Sequence, residues 1–367
     1  MLQLFYKFAD RGIDWIFRPR SLGLQLLKYG ALILITTLGA DFVLGAEYQS
    51  PDSSIKVNVG TSGGLPAVAV NGAYVLGAML IFVGIGLLLR EVARDIKRER
   101  RQLLIVVELK GLYGAPDTPA KNAIKRDFLG QRQSIVLDFR PQRNGELVDR
   151  YLVIQKLNGL MTTIEALSAG RDAEEVFVAI GGLAAVPALF LAGVLMDDAA
   201  NVDVFDWNRS LKTWAIPKGL DDGKRLQASG AADSSTGLTE VVLVVSCSYQ
   251  VSGQDVRDAF PQLPVVRLDS EEHLADRFWS EEKQAAYVTE FRDTIQRLMD
   301  SGAKRIHLIL AAPSSLSIRM GMAYDRRLHP EIVVYQYERS KQPAYPWGIV
   351  MPSDAQQQAS IVETAQV

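Results

Sequence analysis

The sequence predicts two membrane-spanning helices followed by an α/β domain that is built from two related halves. Three observations indicate this fold class. Two long apolar runs lie near the N-terminus, a basic run follows the second of them, and short buried strands alternate with helices in the remainder of the chain. With 367 residues the chain is long enough for more than one domain, and a net charge of −2 gives no general reason to expect DNA binding.

The two apolar runs, 29–46 and 67–89, are the predicted membrane spans. The first carries a single charge, Asp41, and the second carries none. Both reach the roughly 18 residues that a helix rising about 1.5 Å per residue needs to cross a bilayer. Buried core helices are the alternative, although core helices seldom stay apolar on every face over such lengths. A cleaved signal peptide is a further alternative for the first run, but its N-terminal region would be unusually long.

Basic residues flank the two spans on one side only. Five precede the first span and six follow the second, whereas the short outer loop 47–66 holds only Lys56. By the positive-inside rule, both termini are predicted to be cytoplasmic. The segment 1–28 mixes aromatic and basic residues, which favours either a helix at the headgroup level or a solvated leader. The charged run 90–101 is predicted to be a helical stalk that continues the second span.

Some residues inside the spans are candidates for membrane assembly. Ala69, Ala73 and Gly77 recur every four residues, a spacing that lets two helices approach closely, although small residues are common in membrane helices. Asp41 and Asn71 each lie about one turn from the outer end of a span, so they could meet within one hairpin or between copies. A carboxylate at this depth suggests a function, and snorkelling to the surface is the alternative.

Beyond residue 101, short runs of branched residues predict strands that are buried on both faces. Alternation of these strands with helices indicates a mainly parallel sheet. The single cysteine, Cys247, excludes an intrachain disulfide and is predicted to be a small buried thiol at a strand end. The predicted strands are 103–109, 134–139, 175–180 and 201–205 in the first half, and 240–246, 264–268, 305–310 and 331–337 in the second.

The strand–helix–strand segment 174–209 aligns without a gap on 304–339. The constant offset of 130 matches residue class along the whole unit and extends upstream, which favours a duplication, although any two such units look broadly alike. The halves are predicted at about 102–230 and 238–351, followed by a polar tail, 352–367. Matched pairs include Val178 with Leu308, Gly181-Gly182 with Ala311-Ala312, and Ile135 with Val265.

The duplicated turns predict a ligand-binding groove. Ligands of open α/β sheets bind beyond the carboxyl ends of the strands, where helix N-termini present free N–H groups. Small side chains in the turns let these amides approach a phosphate, and the residues after the first strands suit a phosphate charge and a stacked base. The predicted ligand-binding residues are Lys110, Gly181, Gly182, Leu183, Ser246, Ser248, Tyr249, Ala312, Pro313, Ser314 and Ser315, with Ser314 as the helix N-cap.

The sequence contains none of the familiar catalytic motifs. A phosphate-binding P-loop and a dinucleotide-binding glycine motif are absent, and the three histidines lack the spacing of a metal site. His307 is predicted to lie in mid-strand as a structural residue. The acidic pairs at 197–198 and 221–222 are typical of solvated loops. We therefore expect a binding groove with no catalytic residue, no metal and no cofactor.

The terminal segment "HLILAAPSSLSIRMGMAYDRRLHPEIVVYQYE" resembles the C-terminal signature of SAVED domains, and "GGLAAVPALFLAGVLMDDAANVDVFDWNR" resembles their first-half counterpart. SAVED domains are two fused, pseudo-symmetric CARF-like (Rossmann-like) units. Together with the two spans, the whole chain is similar to the transmembrane SAVED effectors of bacterial CBASS antiphage defence. The resemblance implies a cyclic di- or trinucleotide ligand, a partner nucleotidyltransferase that makes it, homo-oligomeric assembly on binding, and disruption of the inner membrane that kills the cell.

Two other functions are compatible with these residues. Some CARF-like relatives cleave cyclic oligonucleotides, and Lys110, Ser314 and Ser315 could position a ribose 2′-hydroxyl for such a ring-nuclease reaction. No general base is apparent in the sequence, which disfavours this function. In the third hypothesis the spans are a passive anchor for a nucleotide-binding scaffold. Asp41 within the first span and the row of small residues in the second span slightly disfavour this hypothesis.

Overall fold

The computed structural model describes residues 21–41, 43–49, 54–60, 67–114, 116–197, 201–230, 239–354 and 356–364. The chain divides into two compact units, Met1–Arg100 and Arg101–Val367. Most of the predicted leader, residues 1–20, lies outside the described residues.

The described residues of the N-terminal unit, from 21 onward, form two apolar helices with a β-hairpin between them in sequence. Helix α2 is long and apolar enough to cross a membrane over Val68–Arg101, whereas the apolar part of α1, Leu22–Leu38, is shorter. The second predicted span and the predicted stalk form one continuous helix, as expected. The elements of this unit are α1 (Leu22–Asp41), β1 (Val43–Gln49), β2 (Ser54–Gly60) and α2 (Ala67–Arg101).

The predicted bounds of the first span were wrong at both ends. The helix starts seven residues earlier because Ser21 caps it, its hydroxyl accepting the N–H of Leu24 at 3.1 Å. It ends at Asp41 because residues from Val43 onward pair with β2 as a strand. The predicted outer loop therefore contains a hairpin. The alternation of apolar and polar residues in β2 is a strand period, which counting apolar residues does not detect.

Helices α1 and α2 pack through glycines that recur every seven residues. A Cβ atom at Gly30 would lie 2.8 Å from the carbonyl oxygen of Gly77, and one at Gly84 would lie 2.8 Å from that of Gly23. The backbones are thus too close for any larger residue. A seven-residue repeat is the period of a left-handed helix crossing, and small residues permit the close approach.

This packing changes the interpretation of the predicted assembly residues. Gly77 is buried against Leu34 and Gly30 within the chain, so it is not available to a second copy. The glycines at the close contact are seven residues apart in each helix, whereas the predicted row of small residues has a spacing of four. Ala69 and Asn71 are exposed, and Ala73 is half-buried. Asp41 is the last residue of α1, and its side chain is not among those that the structure describes.

The strands described in the second unit form two sheets. The first has the strand order β4-β3-β5-β6-β7, and β3 pairs in parallel with β4 and β5. The second has the order β14-β13-β12-β11-β9-β10-β8, and β9 pairs in parallel with β10 and β11. The strands are β3 (Leu103–Lys110), β4 (Gln131–Asp138), β5 (Val176–Leu183), β6 (Val202–Asn208), β7 (Thr213–Ala215), β8 (Leu226–Gly230), β9 (Glu240–Ser246), β10 (Val265–Ser270), β11 (Arg305–Ala311), β12 (Glu331–Gln336), β13 (Trp347–Val350) and β14 (Ser360–Glu363).

Six α-helices complete the part of this unit that the structure describes. Short polar side chains cap three of them: Asp149 accepts from Tyr151 and Leu152 at the start of α3, and Ser252 and Ser280 cap α6 and α7. The predicted polar tail contains β14, which pairs antiparallel with β13. The helices are α3 (Arg150–Asn158), α4 (Leu160–Ser168), α5 (Val186–Leu195), α6 (Gly253–Ala259), α7 (Glu281–Asp300) and α8 (Ser314–Met322).

Helices α5 and α8 join the two halves. Helix α5 is apolar on every face and buried, which fits its place between layers, and it packs on β12 of the other half while α8 packs on β5 and β6. A Cβ at Gly193 would lie 2.0 Å from the carbonyl oxygen of Ile318, and one at Gly321 would lie 2.1 Å from that of Phe190. The two contacts are reciprocal, as expected for halves related by a pseudo-twofold axis.

The predicted duplication is confirmed, but its alignment is corrected. The reciprocal contact makes Gly193 equivalent to Gly321, a separation of 128 rather than 130. Upstream, the strand pairing makes Ile135 equivalent to Val266, not Val265, because both are buried in the shared core. Insertions between strands shift the offset from element to element, which a single ungapped alignment cannot follow.

His307 lies in mid-strand on β11, as predicted, and it should make stability depend on pH. Its ring nitrogens lie 2.9 Å from a Glu240 carboxylate oxygen and 2.9 Å from the Tyr335 hydroxyl. Burial lowers the pKa of His307, although Glu240 acts in the opposite direction. The unfolded chain therefore binds the proton more readily, and stability should fall as the pH drops below about 6.5.

We expect His307→Gln to flatten the fall in melting temperature of the detergent-solubilised protein between pH 7 and pH 5. Burial lowers the pKa of His329 as well, so a smaller dependence of the same sign should remain. A slope identical to that of the wild type would show that His307 does not resist protonation.

Candidate functional site

The carboxyl ends of the strands form an equivalent row of residues in each half. In the first sheet, Lys110 on β3 lies between Asp138 on β4 and Leu183 on β5. In the second sheet, Ser246 on β9 lies between Asp269 on β10 and Ala311 on β11. Each row continues into a helix that starts three residues later, α5 at Val186 and α8 at Ser314. The structure thus places two helix N-termini at corresponding positions.

An arginine binds the aspartate of each row. Arg140 donates to Asp138 through Nε at 3.0 Å and Nη2 at 2.7 Å, and these hydrogen bonds lower the pKa of Asp138. Arg267 donates to Asp269 through Nε at 3.0 Å and Nη2 at 3.1 Å. Burial raises the pKa of Asp269, but the bonds from Arg267 and Ser246 more than offset it. Both carboxylates are therefore ionised at neutral pH and hold their arginines in fixed positions.

An exposed tyrosine follows the central strand of each half by three residues. Tyr113 follows β3 and is 54% exposed, and Tyr249 follows β9 and is 63% exposed. A cavity of about 290 Å³ is lined by Tyr113, Asp138 and Arg140, together with Gly114 and Pro141. The first half thus combines an aromatic ring, a cation and space at one strand end. An aromatic ring at such an edge can stack on a base of any sequence.

Lys110 lies at the predicted strand end, but it already has a carboxylate partner. Its ammonium group lies 3.3 Å from Glu108, two residues earlier on the same strand. Glu108 is 1% exposed and also accepts the N–H of Ala120 at 2.9 Å. The Glu108 carboxylate therefore compensates much of the positive charge that Lys110 contributes to the row.

The second-half residues Ser246 and Ser248 are both buried. The Ser246 hydroxyl lies within reach of Arg267 at 3.3 Å and of the Val251 N–H at 3.4 Å, so it positions the Arg267–Asp269 pair. The N–H of Ser248 donates to the carbonyl oxygen of Ala311 at 2.9 Å. Ser246 and Ser248 therefore lie beneath the surface of the strand end and hold its conformation by these hydrogen bonds.

The Ser314–Ser315 turn differs from the prediction in two respects. Ser314 is the first residue of α8 and does not cap it, since Pro313 occupies the N-cap position. The Ser315 hydroxyl and N–H donate to the same Asp206 oxygen at 2.8 and 2.9 Å, and Gln284 donates to that hydroxyl at 3.0 Å. Burial raises the pKa of Asp206. Ser315 therefore joins the halves, and Ala312, Pro313 and Ser314 form the half-buried surface of the turn.

Gly181 and Gly182 lie within strand β5 rather than in the predicted turn. A Cβ at Gly181 would lie 2.2 Å from the carbonyl oxygen of Phe205, and one at Gly182 would lie 2.1 Å from that of Leu109. Gly182 also has a φ of 152°, which larger residues rarely adopt. These glycines are required by the close approach of β3 and β6, and only Leu183 of the three lies in the row.

Cys247 is fully buried at the end of β9, as predicted. Burial raises the pKa of its thiol far above the usual range, so the thiol stays protonated at neutral pH. Among the described residues, no group of three or more His, Cys, Asp or Glu side chains is arranged to hold a metal ion.

Sequence reasoning missed Tyr113, Asp138, Arg140, Arg267 and Asp269. A signal for Tyr113 was present, because "ELKGLYG" and "VVSCSYQ" both place a tyrosine three residues after the strand. The two aspartates could not be matched at a constant offset of 130. Their equivalence depends on strand register, which only the paired sheets reveal.

The comparison with solved structures finds SAVED/CARF-domain containing receptors named Cap4. The Acinetobacter baumannii receptor with the cyclic trinucleotide 3′3′3′-cAAA has a TM-score of 0.49 and 13% identity, covering 78% of this chain and 60% of that one. The same receptor with 2′3′3′-cAAA has a TM-score of 0.47 and 14% identity, with the same coverage. The Moraxella osloensis receptor has a TM-score of 0.43 and 13% identity, covering 77% and 58%. The chain thus spans less than two thirds of these proteins.

Two family models match the chain, and no curated protein does. The model of the SMODS-associated and fused to various effectors sensor domain (SAVED) matches residues 161–351, just over half of the chain. The model of the SAVED-fused 2TM effector domain matches residues 2–154, which includes β3 and β4 of the first sheet. The chain therefore belongs to the SAVED family, as a sensor domain with two α/β sheets that is fused to a two-transmembrane effector region.

Proposed function

We propose that the chain senses a cyclic oligonucleotide and acts on the bacterial inner membrane. Ligand binding at the carboxyl ends of the strands drives copies of the chain together, and the assembled helices permeabilise the membrane. Death of the infected cell would follow, as in CBASS antiphage defence. The observation that carries the proposal is the pair of equivalent rows, Asp138–Lys110–Leu183 and Asp269–Ser246–Ala311, in a chain that also carries an effector region.

The proposed ligand is a cyclic di- or trinucleotide. Tyr113 and Tyr249 offer one stacking surface in each half, and Arg140 and Arg267 offer one cation in each half. A ring of repeated bases and phosphates needs such repeated partners. Pro313 has no N–H and the Ser315 N–H is bonded to Asp206, so the turn before α8 has the N–H groups of Ala312 and Ser314 to offer to a phosphate. The ligand drives assembly only to the extent that it binds the assembled state more tightly.

The domain assignment belongs to this proposal. We place both termini in the cytoplasm, on the side of the basic residues. The assigned segments are a leader before Leu22, two membrane helices with the outer segment between them (22–89), a stalk (90–101), and the sensor domain (102–351) with a C-terminal segment (352–367) that adds β14 to its second sheet.

A ring nuclease is the second candidate. The Glu108 carboxylate is a candidate general base that sequence reasoning did not consider, because its Oε1 makes only the 3.3 Å ion pair with Lys110. Two observations disfavour it. Glu108 is 1% exposed, so it cannot reach a ribose without movement, and the Ser315 hydroxyl is bonded to Asp206.

One experiment separates these functions. Full-length protein is reconstituted into dye-loaded liposomes, candidate cyclic nucleotides are added one at a time, and the nucleotide is analysed after leakage is recorded. We expect leakage with intact ligand. Turnover of the ligand without leakage would establish the nuclease instead, and tight binding with neither outcome would leave a passive anchor. Liposomes without protein control for direct effects of the nucleotide.

A further inference from the structure

Strand β4 is an edge strand of the first sheet. It pairs with β3 on one side, and no described strand pairs with its other side, which is called its outer edge below. The N–H groups of Gln131 and Phe139 donate to the carbonyl oxygens of Gln102 and Lys110 at 2.8 and 2.9 Å, toward β3. Since the direction of backbone groups alternates along a strand, the even-numbered residues between them direct their N–H and C=O groups to the outer edge.

The outer edge of β4 carries backbone groups without partners. Within the described part of the chain, the N–H groups of Arg132, Ser134 and Val136 have no hydrogen-bond acceptor. The edge is also accessible to a partner, since Val136 is 48% exposed and Gln133 is exposed. A row of unpaired N–H and C=O groups is a template on which another strand can pair.

The other half of the domain shows which kind of strand this edge accepts. Strand β10 is the equivalent of β4, because Val266 occupies the position of Ile135. Strand β8 covers the outer side of β10 and pairs antiparallel with it, from Val266 with Gly230 to Ser270 with Leu226. In the first half, none of the described strands occupies the corresponding position. The same edge is therefore completed by an antiparallel strand in one half and open in the other.

The two ends of β4 carry charges of opposite sign. Asp138 lies at the end of the strand, and its side chain is 39% exposed even though Arg140 binds it. Arg132 lies near the start and, among the described residues, makes no ion pair with a carboxylate. The Arg132 guanidinium donates instead to the backbone carbonyl oxygens of Lys121, Ile124 and Lys125. The positive charge of Arg132 therefore has no compensating negative charge within its own half-buried site.

We propose that β4 pairs antiparallel with β4 of a second copy of this chain, around a twofold axis at Ile135. In this register Arg132 of each copy stands opposite Asp138 of the other copy. Ser134 stands opposite Val136, so the outward N–H and C=O groups of one copy face those of the other, as the hydrogen-bonded pairs of an antiparallel ladder require. Opposite charges at facing positions stabilise a strand pair.

Other registers of the same two strands satisfy these groups less well. A shift of one residue would bring the outward groups of one copy opposite residues whose N–H groups are bonded to β3. A shift of two residues would set Arg132 opposite either Val136 or Arg140. The register centred on Ile135 is the one among these that gives Arg132 a carboxylate.

The other edge strands are poorer partners for β4. Strands β7 and β8 hold no carboxylate, and β14 has four residues against eight in β4. A single strand pair buries less than the roughly 1,600 Å² of a standard interface, so we expect a dimer that dissociates at about micromolar concentration. The pairing would also cover the exposed side chain of Val136, which lies in mid-strand.

Pairs of cysteines test the register. Ser134→Cys and Val136→Cys variants of the full-length protein are purified in detergent without nucleotide and oxidised, separately and as an equal mixture. The wild type, whose single cysteine Cys247 is buried, gives the background. We expect at least about five times more disulfide-linked dimer in the mixture than in either variant alone. The reason is that facing Cα atoms lie about 5.5 Å apart, whereas two copies of the same residue are offset by about 7 Å along the strands.

A proline tests the backbone pairing. Val136→Pro removes an outward N–H and keeps the bonds to β3, since an edge strand accepts proline where its N–H faces solvent. We expect sedimentation velocity of the detergent-solubilised protein to show a dissociation constant raised by about tenfold or more, because both copies lose a hydrogen bond. The melting temperature should stay that of the wild type. Val136→Thr is the matched control, because it keeps the N–H and the branched side chain and should dimerise like the wild type.

Several results would overturn the proposal. A wild type that stays monomeric up to about 100 µM would exclude a dimer of the expected strength. Equal disulfide yields in the mixture and in the single variants would reject the register, and a dimer unaffected by Val136→Pro would place the interface elsewhere. Equal weakening by Val136→Thr would assign the effect to the side chain. If Val136→Pro melts below the wild type, the disulfide yields decide alone. Since nucleotide is absent throughout, none of these results bears on the proposed sensing function.

Discussion

Replacing Gly321 by valine will prevent the sensor domain from folding, and replacing it by alanine will lower the melting temperature by about 2–12 °C. The expected Cβ position lies 2.1 Å from the Phe190 carbonyl oxygen, which moves only if α5 and α8 separate. Overpacking a closed contact costs about 1–3 kcal/mol, and each kcal/mol shifts the melting temperature of a domain of this size by about 2–4 °C. Gly193→Ala should have a similar effect because the contact is reciprocal.

Thermal unfolding of the detergent-solubilised protein measures this effect. Gly159→Ala is the matched control, since a Cβ there has its nearest neighbour at 3.8 Å and should leave the melting temperature nearly unchanged. The melting temperature of the Gly193→Ala/Gly321→Ala double variant should fall by less than the sum of the two single decreases, because separating the helices relieves both clashes. If the Gly321→Ala variant had the same melting temperature as the wild type, that result would contradict the close crossing of α5 and α8.

Replacing both Tyr113 and Tyr249 by alanine should weaken cyclic-nucleotide binding by two to four orders of magnitude. Each exposed ring is expected to stack on one base, and removing such a ring costs about 1–3 kcal/mol. The single alanine variants should each lose about 10- to 100-fold. Tyr→Phe variants keep the ring and should bind within about threefold of the wild type. Isothermal titration with the nucleotide that causes leakage provides the measurement.

Leu328→Ala is the control for this series, because Leu328 is 70% exposed but precedes β12, at the opposite edge of the sheet. It should bind like the wild type. Equal losses in Tyr113→Phe and Tyr113→Ala would assign the effect to the hydroxyl. Unchanged binding in the double alanine variant would remove the tyrosines from the site and leave the arginines as its recognition groups.

The architecture could be predicted because it depends on patterns of residue class. Branched runs such as 103–109 predict buried strands whatever their partners are, and the apolar run 67–89 predicts a long helix. The duplication was detectable for the same reason, since the core positions of both halves retain their class. The hairpin at 43–60 was missed because its alternation is short and adjoins an apolar helix.

The site was predictable to the level of strand ends but not of side chains. Lys110, Ser246, Leu183 and Tyr249 lie at the predicted edge, yet the arginine–aspartate pairs depend on which strands are neighbours. Gly182 shows the limit most clearly. A glycine near a strand end suits both a phosphate turn and a crowded sheet, and only the approach of Leu109 distinguishes them.

The two rows are equivalent in position but not in chemistry, since Lys110 with Glu108 stands where the second half has Ser246 with Val244. Two identical subunits would present the same row of residues twice, so a cyclic ligand would bind between them in two interchangeable orientations. A fused duplication removes that constraint. Each row can change by mutation independently of the other, so the proposed cyclic ligand would bind in one orientation, and a ligand whose bases or linkages are unlike would be preferred.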